Sequence, residues 1–333
     1  MGAGVSWVVD VGDELLTADI DEGLRRVEVL LLDIVKSQHA LLTRASQHLM
    51  LAGGKRFRPM LALLTAQFGD AKDSRVIPGA VACELTHLAS LYHDDVMDEA
   101  AVRRSIISAN ARWGNKMAIL VGDFLFAQAA SIGVDLGSEA AQLYTRVAKR
   151  LIFGQFMEMV GPGPGQDPME HYLQVVADKT GTLLRASCEL GALMANVDSE
   201  TVKKLGEFGE QLGMAFQFAD DLLDIEATAE ELGKRPGNDL RARVQSLPVL
   251  HLRASATPDD ARLLALLDSD LTNDDAALDE AVDLMRAHPA MQAARGDLKA
   301  KVDDCFDLLD QVPDRPARAA LRNLAESMLT RRS

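Results

Sequence analysis

Asp94-Asp95-Val96-Met97-Asp98 and Asp220-Asp221-Leu222-Leu223-Asp224 decide how the rest of this chain is read. Each is a D-D-x-x-D set in an apolar pattern of helical period. Their separation along the chain requires the fold to bring them together. Six carboxylates around one cavity repel one another unless something compensates them, because buried charges must be paired or bind metal. Hard divalent cations supply that compensation. Mg²⁺ favours oxygen ligands, keeps several waters, and is commonly held by one or two carboxylates plus substrate phosphate. The two motifs together point to a metal-lined site for a phosphate or diphosphate ester.

Helical geometry supports this reading. At about 100° per residue, His87, Asp94 and Asp98 fall within roughly 40° of arc. Val81, Leu85, Leu88 and Tyr92 form a separate apolar stripe on the same helix, so it has a core side and a polar side. In the second motif Gln217, Asp221 and Asp224 share roughly 60° of arc, with Asp220 on the same flank. A single D-D-x-x-D is more often a solvated acidic face. Two copies on apolar helices, each with a further polar residue on its face, favour a site.

Outward from these motifs the pattern stays helical. Helices are predicted over Asp13 to Leu51 in one or two pieces, Pro59 to Phe68, Gly79 to Met97, Met117 to Val134 and Glu139 to Val160. More follow over Met169 to Met194, Ser199 to Ile225 and Asp239 to Leu252, then four shorter ones. Gly161-Pro162-Gly163-Pro164-Gly165 reads as a loop. Thr257-Pro258-Asp259-Asp260 reads as a helix start, with Thr at the cap and Pro at the first helical position. No sustained strand alternation, linker or repeat appears. The expectation is all-α: a single-domain helical bundle over residues 1–333 around a central cavity. Its motif-bearing core runs from about 41 to 252, with a helical remainder over 253–333.

Composition excludes other classes. With 35 Lys+Arg against 50 Asp+Glu, a net charge of −15 argues against nucleic acid as a partner. Late acidic residues such as Asp259, Asp260, Asp274 and Asp275 read as caps and solvated faces. Cys83, Cys188 and Cys305 are widely spaced, which fits neither a zinc site nor a disulfide framework and suits a reducing compartment. The start of the chain lacks a basic region, and the run from Ala118 to Val134 falls short of the roughly 20 residues that cross a bilayer. A cytoplasmic location is expected.

Against this acidity, basic elements stand out. Gly53-Gly54-Lys55-Arg56-Phe57-Arg58-Pro59 places three cations around a Gly-Gly turn. The glycines permit close backbone approach, and arginine offers bidentate contact to phosphate. Arg103-Arg104 follows the first motif, Lys179-Thr180 lies in a helical pattern, and Gly233-Lys234 follows the second motif. These four elements look like charge matching for two anionic substrates.

In this order the set G-G-K-R-x-R-P, D-D-x-x-D with R-R, K-T, F-Q-x-x-D-D-x-x-D and G-K resembles the trans-isoprenyl diphosphate synthases, more narrowly the bacterial polyprenyl diphosphate synthases. The likeness runs from about Leu41 to Leu252. It implies the isoprenoid synthase fold and a Mg²⁺-dependent condensation of isopentenyl diphosphate with an allylic diphosphate, with three Mg²⁺ ions once substrate is bound. Asp94, Asp95, Asp98, Asp220, Asp221 and Asp224 would hold the metal. Gly54, Lys55, Arg58, His87 and Arg104 would bind isopentenyl diphosphate, and Arg103, Lys179 and Lys234 the allylic diphosphate. Thr180 and Gln217 would lie near the reacting carbons. The resemblance also implies a homodimer and transient membrane contact for product release.

The chain departs from the family pattern in two places. Ser105 stands where Gly is usual, and Val244 stands where a lysine contact is expected. In the family, bulky residues four and five positions before the first aspartate limit chain growth. Here they are the small Ser90 and Ala89, which favours a medium to long product, such as a quinone side-chain precursor. The alternatives are a short-chain synthase (geranyl, farnesyl or geranylgeranyl) or a non-catalytic subunit of a two-component enzyme. A class I terpene cyclase would not need the Lys55/Arg58 loop. A calcium loop over Asp268 to Asp279 lacks the required Gly, since Asn273 replaces it.

Overall fold

The computed structural model describes residues 13–228 and 235–331. Helices dominate it: α1 (Glu14–Ile34), α2 (Ala40–Leu51), α3 (Phe57–Ala66), α4 (Val76–Met97), α5 (Ala109–Trp113), α6 (Asn115–Asp135), α7 (Ser138–Val160), α8 (Pro168–Val176), α9 (Thr182–Met194) and α10 (Ser199–Glu226). Then come α11 (Asn238–Arg241), α12 (Leu247–Ser255), α13 (Ala261–Asp268), α14 (Asp275–Ala287), α15 (Pro289–Leu309) and α16 (Pro316–Ser327).

Contacts divide the chain into two compact units. The first comprises the residues up to Lys149, Leu183–Gly209 and Leu309–Asn323; the second comprises Arg150–Thr182, Glu210–Leu308 and the chain after Leu324.

In the first unit α4 packs against α1, α3 and α6. The expected stripe of Val81, Leu85, Leu88 and Tyr92 is fully buried. Burial of large apolar side chains contributes about 1.5–3 kcal/mol each, so this row alone ties α4 firmly to its neighbours. Tyr92 has its hydroxyl in the core, where it donates to Ala45 O at 2.5 Å and so avoids an unsatisfied polar group. At Gly122 on α6 a Cβ would lie 3.2 Å from Ala89 O and would collide with His93, so glycine lets the two helices approach closely. Contrary to the expectation that the run from Ala118 to Val134 is too short, α6 extends over Asn115–Asp135 and by length and composition could cross a bilayer. Its face carrying Ala118, Val121, Gly122, Leu125, Ala129 and Ile132 is instead buried, as in a core helix.

In the second unit α8 packs against α12, and α14 against α11 and α13. The Thr257 start forms as expected: Thr257 and Asp260 make a reciprocal capping box, although the turn it opens is 3₁₀ before α13 begins. Asp274 caps α14 through Ala277 N at 2.9 Å. All three cysteines are free and buried.

Further features differ from the sequence expectation, among them the short helix α5, which lies outside every predicted helix. Val102–Arg103 (β1) and Ile106–Ile107 (β2) form a two-residue antiparallel ladder. The helix expected over Asp239 to Leu252 breaks into α11 and α12, with Arg243 in the left-handed region at φ 57°. The Met169 to Met194 helix widens into a π turn at Ala177–Gly181.

Candidate active site

The end of α2, the turn after it and the start of α3 build the basic half of the first unit. Gly53 and Gly54 have φ of 87° and 150°, and a Cβ on Gly54 would lie 2.9 Å from Arg104 Nη1. Glycine is needed here for the positive φ at both positions, a backbone conformation that side chains rarely adopt. The three cations of the loop separate in role. Arg56 is buried, ion-paired to Glu28, and donates to Glu84 Oε1 at 3.1 Å and Met50 O at 2.9 Å. It is consumed by the fold. Lys55 is exposed. Arg58 has a buried Nε with no hydrogen-bond partner, and burial, with Arg104 nearby, lowers its pKa to about 10 against the pull of Glu84.

Arg104 and His87 complete the cluster. Arg104 donates to Leu49 O at 3.0 Å and to Gly53 O. Burial and the neighbouring Arg58, Arg104, Arg56 and Arg103 hold His87 well below its ordinary range, so its imidazole is neutral. Arg56 is already matched by Glu28 and Glu84. Arg58 and Arg104 thus leave an excess of positive charge that an anion would satisfy.

The first aspartate motif lies at the end of α4. Asp95 is fully buried, and its Oδ1 accepts from Arg103 Nε at 2.6 Å. Its Oδ2 is buried without a hydrogen-bond partner, and burial, despite Arg103, raises its pKa. Asp94 is half-buried and Asp98 exposed, one turn apart. The triplet is therefore unequal, with Asp95 turned inward onto Arg103 and Asp94 and Asp98 reachable from solvent. Arg104 and Ser105, at φ 51° and 62°, are the two residues linking β1 to β2. Positive φ at both is the type I′ hairpin pattern, which favours Asn-Gly. The absent glycine at 105 thus leaves a serine in a conformation that suits glycine.

The second aspartate motif lies on the second unit. Asp221 is buried and accepts from Tyr172 Oη at 2.6 Å, Gln217 Nε2 at 2.9 Å and Leu247 N at 2.9 Å. Burial, against these donors, raises its pKa. Asp224 is buried and accepts from Asp239 N at 2.8 Å. Asp220, the most open of the three, lies 2.8 Å from Arg331. Thr180 Oγ1 donates to Gln217 Oε1 at 3.3 Å, so Thr180, Gln217, Asp221 and Tyr172 form one chain of polar contacts.

Lys179 and Thr180 sit in the π turn, a form frequent at functional sites. Lys179 is ion-paired with Glu158. A Cβ on Gly154 would lie 2.8 Å from Lys179 N, and one on Gly213 would lie 2.6 Å from Gly181 Cα, so glycines crowd the turn from two sides. Arg150 holds it on a third, 2.6 Å from Asp178 and 2.5 Å from Glu210. Gly233 and Lys234 lie outside the described residues.

Tyr172, Arg150 and Arg331 were missed in the sequence, because none lies in a motif or shares a helical face with one. Among the described residues no three metal-ligating side chains converge on one point. The donor set nonetheless suits a hard cation: carboxylate oxygens only, with Asp95 Oδ2 buried and lacking a hydrogen-bond partner.

Residues 39–285 match the Polyprenyl synthetase family. The chain belongs to that family. It is a transferase with prenyltransferase activity. It is 41% identical over 324 residues to a nonaprenyl diphosphate synthase of Mycobacterium tuberculosis, covering 97% of this chain and 96% of that one. Among solved structures it is similar to a geranylgeranyl pyrophosphate synthase of Corynebacterium glutamicum complexed with calcium and isoprenyl diphosphate. That match has 41% identity, a TM-score of 0.87, and coverage of 97% and 99%. A Caulobacter crescentus polyprenyl synthase, also with calcium and isoprenyl diphosphate, matches at 30% identity and TM-score 0.88, covering 98% of this chain and 100% of that one. The all-α fold is that of these synthases. Binding of a divalent metal is consistent with the calcium in both.

Proposed function

We propose that this prenyltransferase condenses isopentenyl diphosphate with an allylic diphosphate, using Mg²⁺, to give an all-trans polyprenyl diphosphate of medium to long chain. The observation that carries this is the uncompensated positive charge of Arg58 and Arg104 around neutral His87, on the same unit as the aspartate turn of α4. The arginine cluster suits a diphosphate bound without metal; the aspartates suit one bound through metal.

In this reading Lys55, Arg58, His87 and Arg104 bind isopentenyl diphosphate, the substrate whose diphosphate is retained. Asp94, Asp95 and Asp98, with Asp220, Asp221 and Asp224, hold Mg²⁺, and Arg103, Lys179 and Lys234 contact the allylic diphosphate. Bound Mg²⁺ neutralises charge on the departing diphosphate. Asp95 offers the metal its unpartnered Oδ2 while its Oδ1 fixes Arg103. Thr180 and Gln217 present oxygen dipoles that stabilise positive charge on the allylic carbons. Separate head-group sites supply the entropic part of the rate by orienting the two chains.

Relatives of equal identity carry long-chain and geranylgeranyl names, so sequence identity does not decide product length. The small Ala89 and Ser90 favour the longer product. A homodimer is supported by Ile119, Leu120 and Val134, exposed apolar residues of α6. The test is incubation with labelled isopentenyl diphosphate, farnesyl diphosphate and Mg²⁺, with mass analysis of the products. Polyprenyl diphosphates longer than geranylgeranyl, abolished by chelation and restored by Mg²⁺, are expected. Products ending at geranylgeranyl would refute the chain length, and full activity in excess chelator would refute the metal role.

A further inference from the structure

A second basic concavity lies on the first unit, outside the residues assigned above. It is a half-open hollow of about 330 Å³ between Arg44, His48 and Leu51 of α2 and Arg112 and Trp113 of α5. No carboxylate lines it, in a chain of net charge −15. Among the described residues Arg44 makes no hydrogen bond or ion pair, and Arg112 makes only a stacking contact, its guanidinium 4.8 Å from the Trp113 ring centre. Arg235, Arg241, Arg253 and Arg262 are paired to carboxylates, whereas Arg26, Arg146 and Arg315 are, like Arg44, exposed and without a carboxylate partner among the described residues; what sets Arg44 and Arg112 apart is that they line one hollow. Two exposed guanidiniums without a carboxylate partner line one hollow, and arginine is the residue best suited to bind an anion there.

The walls narrow the ligand class. Trp113 offers an aromatic surface, crossed edge-on by His48 at 4.9 Å, and Leu51 is 70% exposed at the rim. Two forked cations beside an apolar wall suit a diphosphate head group joined to an apolar body. The pocket also touches the elements that hold Arg104. His48 Nε2 donates to Ile107 O at 2.7 Å, on the hairpin that carries Arg104. The next residue, Leu49, supplies a carbonyl that Arg104 grips. A ligand here would hold α2 and the hairpin from outside, and with them the geometry of Arg104.

We infer that the Arg44/His48/Arg112/Trp113 pocket is an effector site for a diphosphate-bearing molecule, coupled through α2 and the β1–β2 hairpin to Arg104. The proposal rests on the prenyltransferase reading only for the identity of the coupled substrate. Trp113 and Trp7 are the two tryptophans, so Trp7→Phe leaves Trp113 as a reporter inside the pocket.

The experiment is a fluorescence titration of the full-length Trp7→Phe chain in excess EDTA, once with inorganic diphosphate and once with farnesyl thiolodiphosphate, which resists ionisation. Saturable quenching is expected in Trp7→Phe and in Trp7→Phe/Arg58→Ala. Adding Arg44→Ala and Arg112→Ala should weaken it by at least about a hundredfold, the loss of two charge-assisted contacts. Tighter binding of the prenyl compound assigns the effector to isoprenoid diphosphates, and equal binding assigns it to free diphosphate. Turnover of Arg44→Ala/Arg112→Ala should match the parent at saturating substrate and lose its response to added effector. Absence of quenching, or quenching that disappears with Arg58→Ala instead, overturns the proposal. Because the readout needs no catalysis, quenching in a chain that makes no prenyl diphosphate would refute the proposed reaction and leave the pocket standing.

Discussion

The guanidinium of Arg331 lies 2.8 Å from Asp220 Oδ1 and stacks 4.0 Å over the ring of Phe216, one turn earlier on α10. The last described residue of the chain thus rests on the first carboxylate of the second aspartate motif. A guanidinium there occupies a position that a metal ion would claim, and the two should compete. Arg331→Ala is expected to lower the Mg²⁺ concentration for half-maximal activity by about two- to fivefold, the scale of a solvent-accessible ion pair. Direct Mn²⁺ binding to the free chain should shift the same way. An unchanged metal titration would show that Arg331 does not guard Asp220.

Arg150 is expected to affect turnover through the π turn that carries Lys179 and Thr180. It bonds Asp178 inside the turn and Glu210 on α10, while Gln174 Nε2 donates to Asp178 Oδ2 at 2.6 Å. Arg150→Gln should cost about 2 kcal/mol of stability, since it strips a charged partner from a buried carboxylate. It should also lower kcat more than either KM, because Lys179 and Thr180 lose their placement. Arg150→Lys should recover stability better than kcat, since an ammonium cannot span both carboxylates as a fork does. Equal recovery of both would make the arginine purely structural.

These two contacts mark where the sequence stops being readable. The aspartates, Gln217 and the core stripe of α4 were legible because a helix repeats every 3.6 residues and puts neighbours in the pattern on one face. Arg331 with Asp220, Arg150 with Glu210 and Tyr172 with Asp221 are chosen by tertiary packing across long separations, which leaves no periodic trace. The β1–β2 hairpin escaped for a different reason. Its turn is normally announced by Asn-Gly, and here it is Arg104-Ser105. Composition showed three cations in the Lys55–Arg58 loop; only burial revealed that Arg56 is tied to Glu28 and Glu84.

That same turn yields a stability prediction. Ser105 at φ 62° carries the left-handed penalty of a side chain, about 1 kcal/mol, which glycine avoids. Ser105→Gly should raise folded-state stability, offset in part by the freedom glycine adds to the unfolded chain. Urea unfolding should show a net gain of about 0.5 kcal/mol, and a loss would mean that Ser105 is not strained.

His87 predicts the acid limb of stability. Its pKa in the folded chain is depressed by burial and by Arg58, Arg104, Arg56 and Arg103. As pH falls below about 6.5, the unfolded chain takes up a proton at His87 and the folded chain does not. Stability is therefore lost on acidification from about 6.5 down to the folded value, and nothing changes above it. Between pH 7.5 and 5.5 the parent should lose about 1 kcal/mol more than His87→Asn, each pH unit being worth about 1.4 kcal/mol. Parallel unfolding curves for the two chains would show that His87 is not held neutral.

The two neighbours proposed to set product length differ in their surroundings. Ala89 is fully buried, its carbonyl packed near Gly122, so a phenylalanine there must displace the α4–α6 contact. Overpacking of that kind typically costs about 1–3 kcal/mol, and any change in product would be confounded with misfolding. Ser90 is partly exposed, and its hydroxyl does no more than donate to His87 O at 2.9 Å within its own helix. It lies four residues before Asp94, about one turn away on nearly the same face. An aromatic at Ser90 is therefore expected to project beside the end of α4 that carries Asp94, and to disturb the α4–α6 packing less than one at Ala89. Ser90→Phe should fold with near-parental stability and shorten the main product while the first condensations survive. Ala89→Phe should chiefly lower the melting temperature. Mass analysis of products, run beside thermal unfolding of both variants, separates the two effects. A parental product distribution from well-folded Ser90→Phe would mean that the growing chain does not pass this face of α4.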